Sequence, residues 1–266
     1  MVSLLALLAP LLSLWLWSPL IPSHRRAFWW CVAITTVLGT APALLIYAMR
    51  NEVLDFGLLS HLQLVSSTLF AAIALGLVLC IVRDLLWLAV RAWRGPRSAA
   101  PWRRPRWTTT GMVALVLLST YGTIQGTRLP EVREHTVALP RLPAALDGLR
   151  IAVLADIHAT PVNDAAYVQG LVERTNAARP DMVVLPGDLI DGDAPTQSGN
   201  IAPLAGLQAP LGVWSAPGNH EYYSGYDAWA RVFQRLNLNY LANEARVLDV
   251  RGHRLAISGV GDPAYG

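Results

Sequence analysis

The residues best suited to chemistry in this 266-residue chain fall in three short motifs: Asp156-Ile157-His158, Gly187-Asp188-Leu189-Ile190-Asp191 and Gly218-Asn219-His220-Glu221. Together they offer carboxylates, a carboxamide and imidazoles, the oxygen and nitrogen donors that bind divalent metals. Each motif follows an apolar run, at residues 151–154, 182–185 and 213–216, that reads as a buried strand. Three strand ends would carry the donors to one edge of a sheet, and open α/β sheets bind ligands at the carboxyl ends of their strands.

On an extended segment, side chains two apart point the same way, so Asp156 and His158 would share one ion. Asp188 can give one oxygen to each of two ions, and Asn219 a neutral carbonyl oxygen to the second. Two ions ~3.5–4 Å apart clamp a phosphate and lower the pKa of a bridging water, whose hydroxide attacks phosphorus in line with the leaving oxygen. His220 is placed to donate to that leaving oxygen, and Asp191 is the partner that orients it. Glu221 reads as a brace for its loop. Gly187 and Gly218 read as points where the backbone turns sharply beside the ions.

In this order and with these spacings, Asp-x-His, Gly-Asp-x-x-Asp and Gly-Asn-His-Glu resemble the calcineurin-like metallophosphoesterases. The apolar N-terminal half makes the chain similar to the membrane-anchored bacterial branch of that superfamily. The resemblance covers residues 149–261 and implies a four-layer α-β-β-α sandwich with two divalent ions, manganese, iron or zinc. Carried over, Asp156, His158 and Asp188 hold the first metal, Asp188 and Asn219 the second, and His220 with Asp191 forms the catalytic pair. The family pattern continues with a His at a later strand end and a Gly-His-x-His motif, neither of which occurs before Gly266. Gly252-His253-Arg254-Leu255 lacks the second His and reads as a hairpin turn. A C-terminally truncated, weakly active chain is the preferred account, and a degenerate relative is the alternative.

The elements that must position the motifs follow from periodicity. Strands are expected at 150–155, 181–185 and 212–216, helices at 164–178 and 225–236, and a polar loop at 192–200. Short strands are expected at 239–242, 245–250 and 254–260, and a first edge strand at 136–139. The alternation predicts a parallel sheet covered by helices.

The N-terminal part is of another kind. Four apolar stretches, at 2–21, 27–49, 62–82 and 108–126, approach the ~20 residues that span a bilayer. Eight of the ten Trp lie between Trp15 and Trp107, many near expected helix ends, as in an interfacial aromatic belt. The division expected is a polytopic region at 1–126, a connector at 127–148 and the phosphoesterase domain at 149–266. Arg25 and Arg26 mark the first loop, and Arg83, Arg91, Arg94, Arg97, Arg103, Arg104 and Arg106 the third; the second, 50–60, sets one Arg against Glu52 and Asp55. Arg-rich loops stay in the cytoplasm, which puts the C-terminal half outside it. If the fourth segment does not span, that half is cytoplasmic and tethered.

A net charge of +3 gives no reason to expect a nucleic-acid partner. Cys31 and Cys80 both fall in apolar runs and read as membrane-helix thiols. The leading expectation is a multi-pass protein of the cell (inner) membrane that hydrolyses a phosphomonoester, phosphodiester or pyrophosphate bond, with a lipid-linked phosphate as a sensible substrate. The competing one is a non-catalytic membrane scaffold that retains the fold.

Overall fold

The computed structural model describes residues 2–50 and 56–263, so Glu52 and Asp55, on which the reading of the second loop rests, lie outside the described residues. The chain divides into two compact units, Met1–Arg128 and Leu129–Gly266.

Among the described residues the regular elements of the first unit are helices: α1 (Val2–Trp17), α2 (Arg25–Arg50), α3 (Phe56–Arg94), the single turn α4 (Pro96–Ala99) and α5 (Pro105–Gly126). Arg25–Ala48 and Gly57–Arg94 are long and apolar enough to cross a bilayer; Ala6–Leu20 is apolar but shorter, and α5 is too diluted by polar residues to meet the same measure. The third apolar stretch, 62–82, lies within a longer helix. The helix does not stop at residue 82 but carries Arg83, Arg91 and Arg94 on its final turns. Arg83 can remain helical because it is fully provided for. Its Nε donates to Asp84 Oδ1 at 2.8 Å, and its Nη1 donates to Leu16 O at 3.2 Å and Thr108 Oγ1 at 3.1 Å. Trp15 Nε1 donates to the other oxygen of Asp84 at 2.8 Å. A buried charge persists only when paired and hydrogen-bonded, and this one ties α1, α3 and α5 together. Both cysteines are free, Cys80 buried and Cys31 half-buried.

The second unit is built on a parallel sheet in the order β1-β2-β3-β4: β1 (Ile151–Val153), β2 (Met182–Leu185), β3 (Val213–Ser215) and β4 (Asn239–Tyr240). An antiparallel hairpin, β5 (Glu244–Val250) and β6 (His253–Gly259), follows, with Gly252 in its turn. Strand alternation splits the residues of β2 between two layers. Val183 and Leu185 meet α6 (Ala165–Ala177), α7 (Ala194–Ile201) and α9 (Tyr226–Arg235) through Val168, Ile201, Trp229 and Phe233. Met182 and Val184 face Trp214, Leu241 and the hairpin residues Leu248, Leu255 and Ile257. Helix α6 buries Val168, Leu171, Val172 and Thr175, one stripe at helical spacing, and Asp164 caps it by accepting from Tyr167 N at 3.0 Å. Among the described residues the layers are therefore helices, sheet and hairpin.

Three expectations are corrected here. The loop expected at 192–200 contains α7, started by Asp193, whose carboxylate accepts from Thr196 N at 3.2 Å, with Pro195 in the first turn. No strand forms at 136–139, where the chain is exposed and has no paired neighbour. The β1 strand is not buried. It lies at the sheet edge with Ile151 49% and Val153 65% exposed, because the hairpin that covers Trp214 does not reach it.

Candidate metal centre

The three motifs leave the carboxyl ends of β1, β2 and β3. The first two loops are zipped to each other beyond the strands. Asp156 N donates to Gly187 O at 3.3 Å, His158 N to Asp188 O at 3.0 Å and Ala159 N to Leu189 O at 2.9 Å. The first loop is not extended. Asp156, His158 and Asp188 all take left-handed backbone conformations, with φ of 55°, 44° and 53°. Such angles are costly for residues other than Gly and cluster at functional sites. The chain turns instead of running straight, so Ile157 is buried while Asp156 and His158 stay on the accessible side. Asp156 Oδ1 and His158 Nε2 are 3.9 Å apart, within the ~4 Å that two ligand atoms each ~2 Å from one ion can span.

The third loop is locked to the second by Glu221. Its carboxylate is fully buried and accepts from three backbone donors: Asp188 N at 3.0 Å, Leu189 N at 2.8 Å and Gly218 N at 2.8 Å. A buried carboxylate surrounded by N–H groups is a strong brace. The loop opens the short helix α8 (Asn219–Tyr223), and His220 N donates to Asp188 Oδ1 at 2.9 Å. Two glycines allow this approach. Gly187 has a φ of +106°, and a Cβ there would lie 2.3 Å from Gly218 N. Gly218 has an ordinary backbone but no room, since a Cβ would meet Asp188 Oδ1 at 2.3 Å. Gly218→Ala is therefore expected to weaken manganese binding about 10–100-fold, the usual effect of disturbing the groups that hold metal ligands. Isothermal titration of protein shown to be folded by circular dichroism measures it; an unchanged affinity would mean that the loop yields without moving Asp188.

Donor atoms of His158, Asp188 and His220 lie within 4.8 Å of one another. Asp191 stands behind both rings. Its Oδ1 is 3.3 Å from His158 Nδ1 and is also hydrogen-bonded to His220 Nδ1. The sequence pairs Asp191 with His220 alone, so the bond to His158 is an addition. A carboxylate on Nδ1 holds the proton there and leaves Nε2 as the lone-pair nitrogen, the arrangement that supports metal-bound histidines. The two rings meet edge to face with centroids 4.5 Å apart. Asp156 is less enclosed than the others, its side chain 70% exposed at the rim.

Asn219 supplies a further test of whether the site suits a cation. One end of its carboxamide lies 3.0 and 3.2 Å from the two oxygens of Asp188. As oxygen, that end faces only acceptors and needs a cation between them. As nitrogen it donates to both, and the other end accepts from the Tyr223 hydroxyl at 3.2 Å. The carboxamide is satisfied in the second orientation without a cation, so the fit to divalent metal rests on the clustered donors of His158, Asp188 and His220.

Tyr223 follows the third motif, and its ring stands 5.5 Å from that of His220. Tyr222 and Tyr226 stack beside it at 4.8 Å and line an open hollow of about 420 Å³ with Arg231. Burial, then Tyr226 and Asp262, pushes the Tyr222 hydroxyl above its usual range. A residue the sequence did not single out, Asn163, steadies the first loop by donating to Ile157 O at 3.3 Å.

Residues 149–262 match the family described as calcineurin-like phosphoesterase. This part of the chain is a calcineurin-like phosphoesterase domain. Its relatives include proteins described as transmembrane proteins with a metallophosphoesterase domain. That of Bos taurus is 31% identical over 64% of this chain and 41% of its own length, and that of Danio rerio 30% identical over 52% and 32%. UDP-2,3-diacylglucosamine pyrophosphatase LpxG of Chlamydia muridarum is 34% identical over 32% of this chain and 26% of its own. The chain thus spans well under two thirds of the length of these relatives. No solved structure matches it. All three motifs fall within the matched residues, and the family uses divalent metal ions.

Proposed function

We propose that the chain is a membrane-anchored, divalent-metal-dependent phosphoesterase acting on a phosphomonoester, phosphodiester or pyrophosphate bond. The meeting of His158, Asp188 and His220 donor atoms within 4.8 Å carries the reading. Asp156, His158 and Asp188 would hold a first ion, and Asp188 with Asn219 a second, the metal being manganese, iron or zinc. When bound, the ions supply positive charge to the phosphate oxygens and acidify water. Asp191 keeps a proton on His220 Nδ1 and so sets which nitrogen faces the substrate. In its doubly protonated form, with Nδ1–H held by Asp191, His220 would give its Nε2 proton to the leaving oxygen as the bond to phosphorus breaks and the water oxygen bonds in its place. The closeness of His220 to His158 and Asp188 favours a second role for it, as a ligand. His220→Ala separates the two: a proton donor is lost with metal affinity intact, a ligand is lost with affinity.

The same proposal takes residues 1–126 as a four-span anchor in the cell membrane, 127–148 as connector and 149–266 as the catalytic domain on the extracytoplasmic side. It takes the hairpin as the start of the second sheet of a four-layer α-β-β-α sandwich. Two helices of sufficient length and the relatives described as transmembrane support the anchor. A tethered domain, and a relative named for a diacylglucosamine substrate, support a lipid-linked phosphate. The test is hydrolysis of p-nitrophenyl phosphate and its diester by the full protein encoded by the gene. Activity is expected to vanish with a chelator and return with manganese. Turnover that survives chelation would overturn the metal mechanism, and no turnover with any metal would favour the scaffold reading.

A further inference from the structure

Arginines gather at one end of the helical unit. Arg103 Nη2 donates to Ser18 Oγ at 3.2 Å and Trp15 reaches Asp84, so the segment between α1 and α2 lies beside the segment between α3 and α5. Both Arg-rich loops therefore share an end. Two of its arginines are used internally: Arg83 as described, and Arg103, whose Nε stands 3.4 Å from Asp84. The others are exposed and have no carboxylate partner among the described residues. Arg25 and Arg26 start α2, Arg91 and Arg94 end α3, Arg97 lies on α4, and Arg104 and Arg106 flank the start of α5. Asp84, already shared by Arg83 and Arg103, is the one acidic residue at this end among the described residues.

Tryptophans stand among them. Arg91 lies over Trp87 at 5.2 Å, Arg94 over Trp93 at 4.7 Å and Arg106 over Trp107 at 5.1 Å. Trp93 is 81% and Trp107 56% exposed. A guanidinium stacked on a ring keeps its N–H edge free for a phosphate. Helix α3 has 39 residues, about 58 Å at ~1.5 Å per residue, against a ~30 Å hydrocarbon core. A helix of that length extends beyond the core, and the Arg-bearing last turns are the part suited to the headgroup region.

We propose that this end binds the anionic headgroups of the surrounding bilayer, with Arg91, Arg94, Arg97, Arg104 and Arg106 taking lipid phosphates and the tryptophans seated at headgroup depth. The inference rests on the membrane-anchor reading. Charge alone would suit any polyanion. The rim of exposed Trp above apolar helices suits only a partner that is anionic on one side and hydrocarbon on the other.

The test places the full chain in nanodiscs of phosphatidylcholine alone or with phosphatidylglycerol. Thermal stability is followed, along with the lipid retained on native mass spectrometry. Phosphatidylglycerol is expected to raise stability and to be retained selectively, and the preference should fall about fivefold for each Arg replaced by Gln among Arg91, Arg94 and Arg97. Arg128→Gln, at the other end of α5, should leave it unchanged. Equal behaviour in both discs would overturn the proposal while the anchor stands, as would equal stabilisation by double-stranded DNA in neutral discs. Release of the chain from vesicles by alkaline carbonate would sink the anchor reading itself, and the lipid site with it.

Discussion

Replacing Asp188 by Asn is expected to lower kcat/KM for an activated phosphate ester by about three orders of magnitude, at the upper end of what the loss of one charge-stabilising group costs. The physical reason is position. Asp188 is the residue on which the three loops converge: its backbone O accepts from His158 N, its Oδ1 accepts from His220 N, and its carboxylate faces the Asn219 carboxamide. Asn is the informative replacement because it tolerates the left-handed φ of 53° and can still accept from His220 N. The fold should survive while the negative charge between the donors disappears. Titration with manganese should show a matching loss of affinity. An Asp188→Asn protein that binds manganese as before and turns over normally would remove Asp188 from the centre.

Glu221→Ala is expected to cost about 3 kcal/mol or more of stability, since each of the three backbone donors it strands is worth ~1–3 kcal/mol when buried without a partner. The Gly-Asp and Gly-Asn loops would separate, so metal affinity should fall with the melting temperature, followed by near-ultraviolet circular dichroism in detergent. Glu221→Gln should lie between. Its single oxygen can serve Asp188 N and Gly218 N, but its NH₂ then faces Leu189 N, donor against donor. A wild-type melting temperature in Glu221→Ala would mean that water replaces the carboxylate and that the brace is dispensable.

Part of this architecture was readable from the residues because it depends on local chemistry. The apolar runs at 182–185 and 213–216 give strands, the stripe of Val168, Leu171, Val172 and Thr175 gives a helix, and the order of the motifs puts their donors at successive strand ends. Helix α7 was also written locally, in Asp193 and Pro195, but its polar composition resembled a loop. The exposure of Ile151 and Val153 was not written there at all, because burial is decided by the layer that covers a strand and not by the strand.

By itself the sequence determined which side chains carry donor atoms suited to metal, the strand ends that carry them and the apolar helices that precede them, since donor chemistry, hydropathy and period are properties of neighbouring residues. Only the tertiary structure decided that Asp191 serves two histidines, that Glu221 holds two loops by three backbone N–H groups, and that the arginines of two distant loops share one end. Those relations join residues tens of positions apart, and their bonds exist once packing has brought the segments within hydrogen-bonding reach.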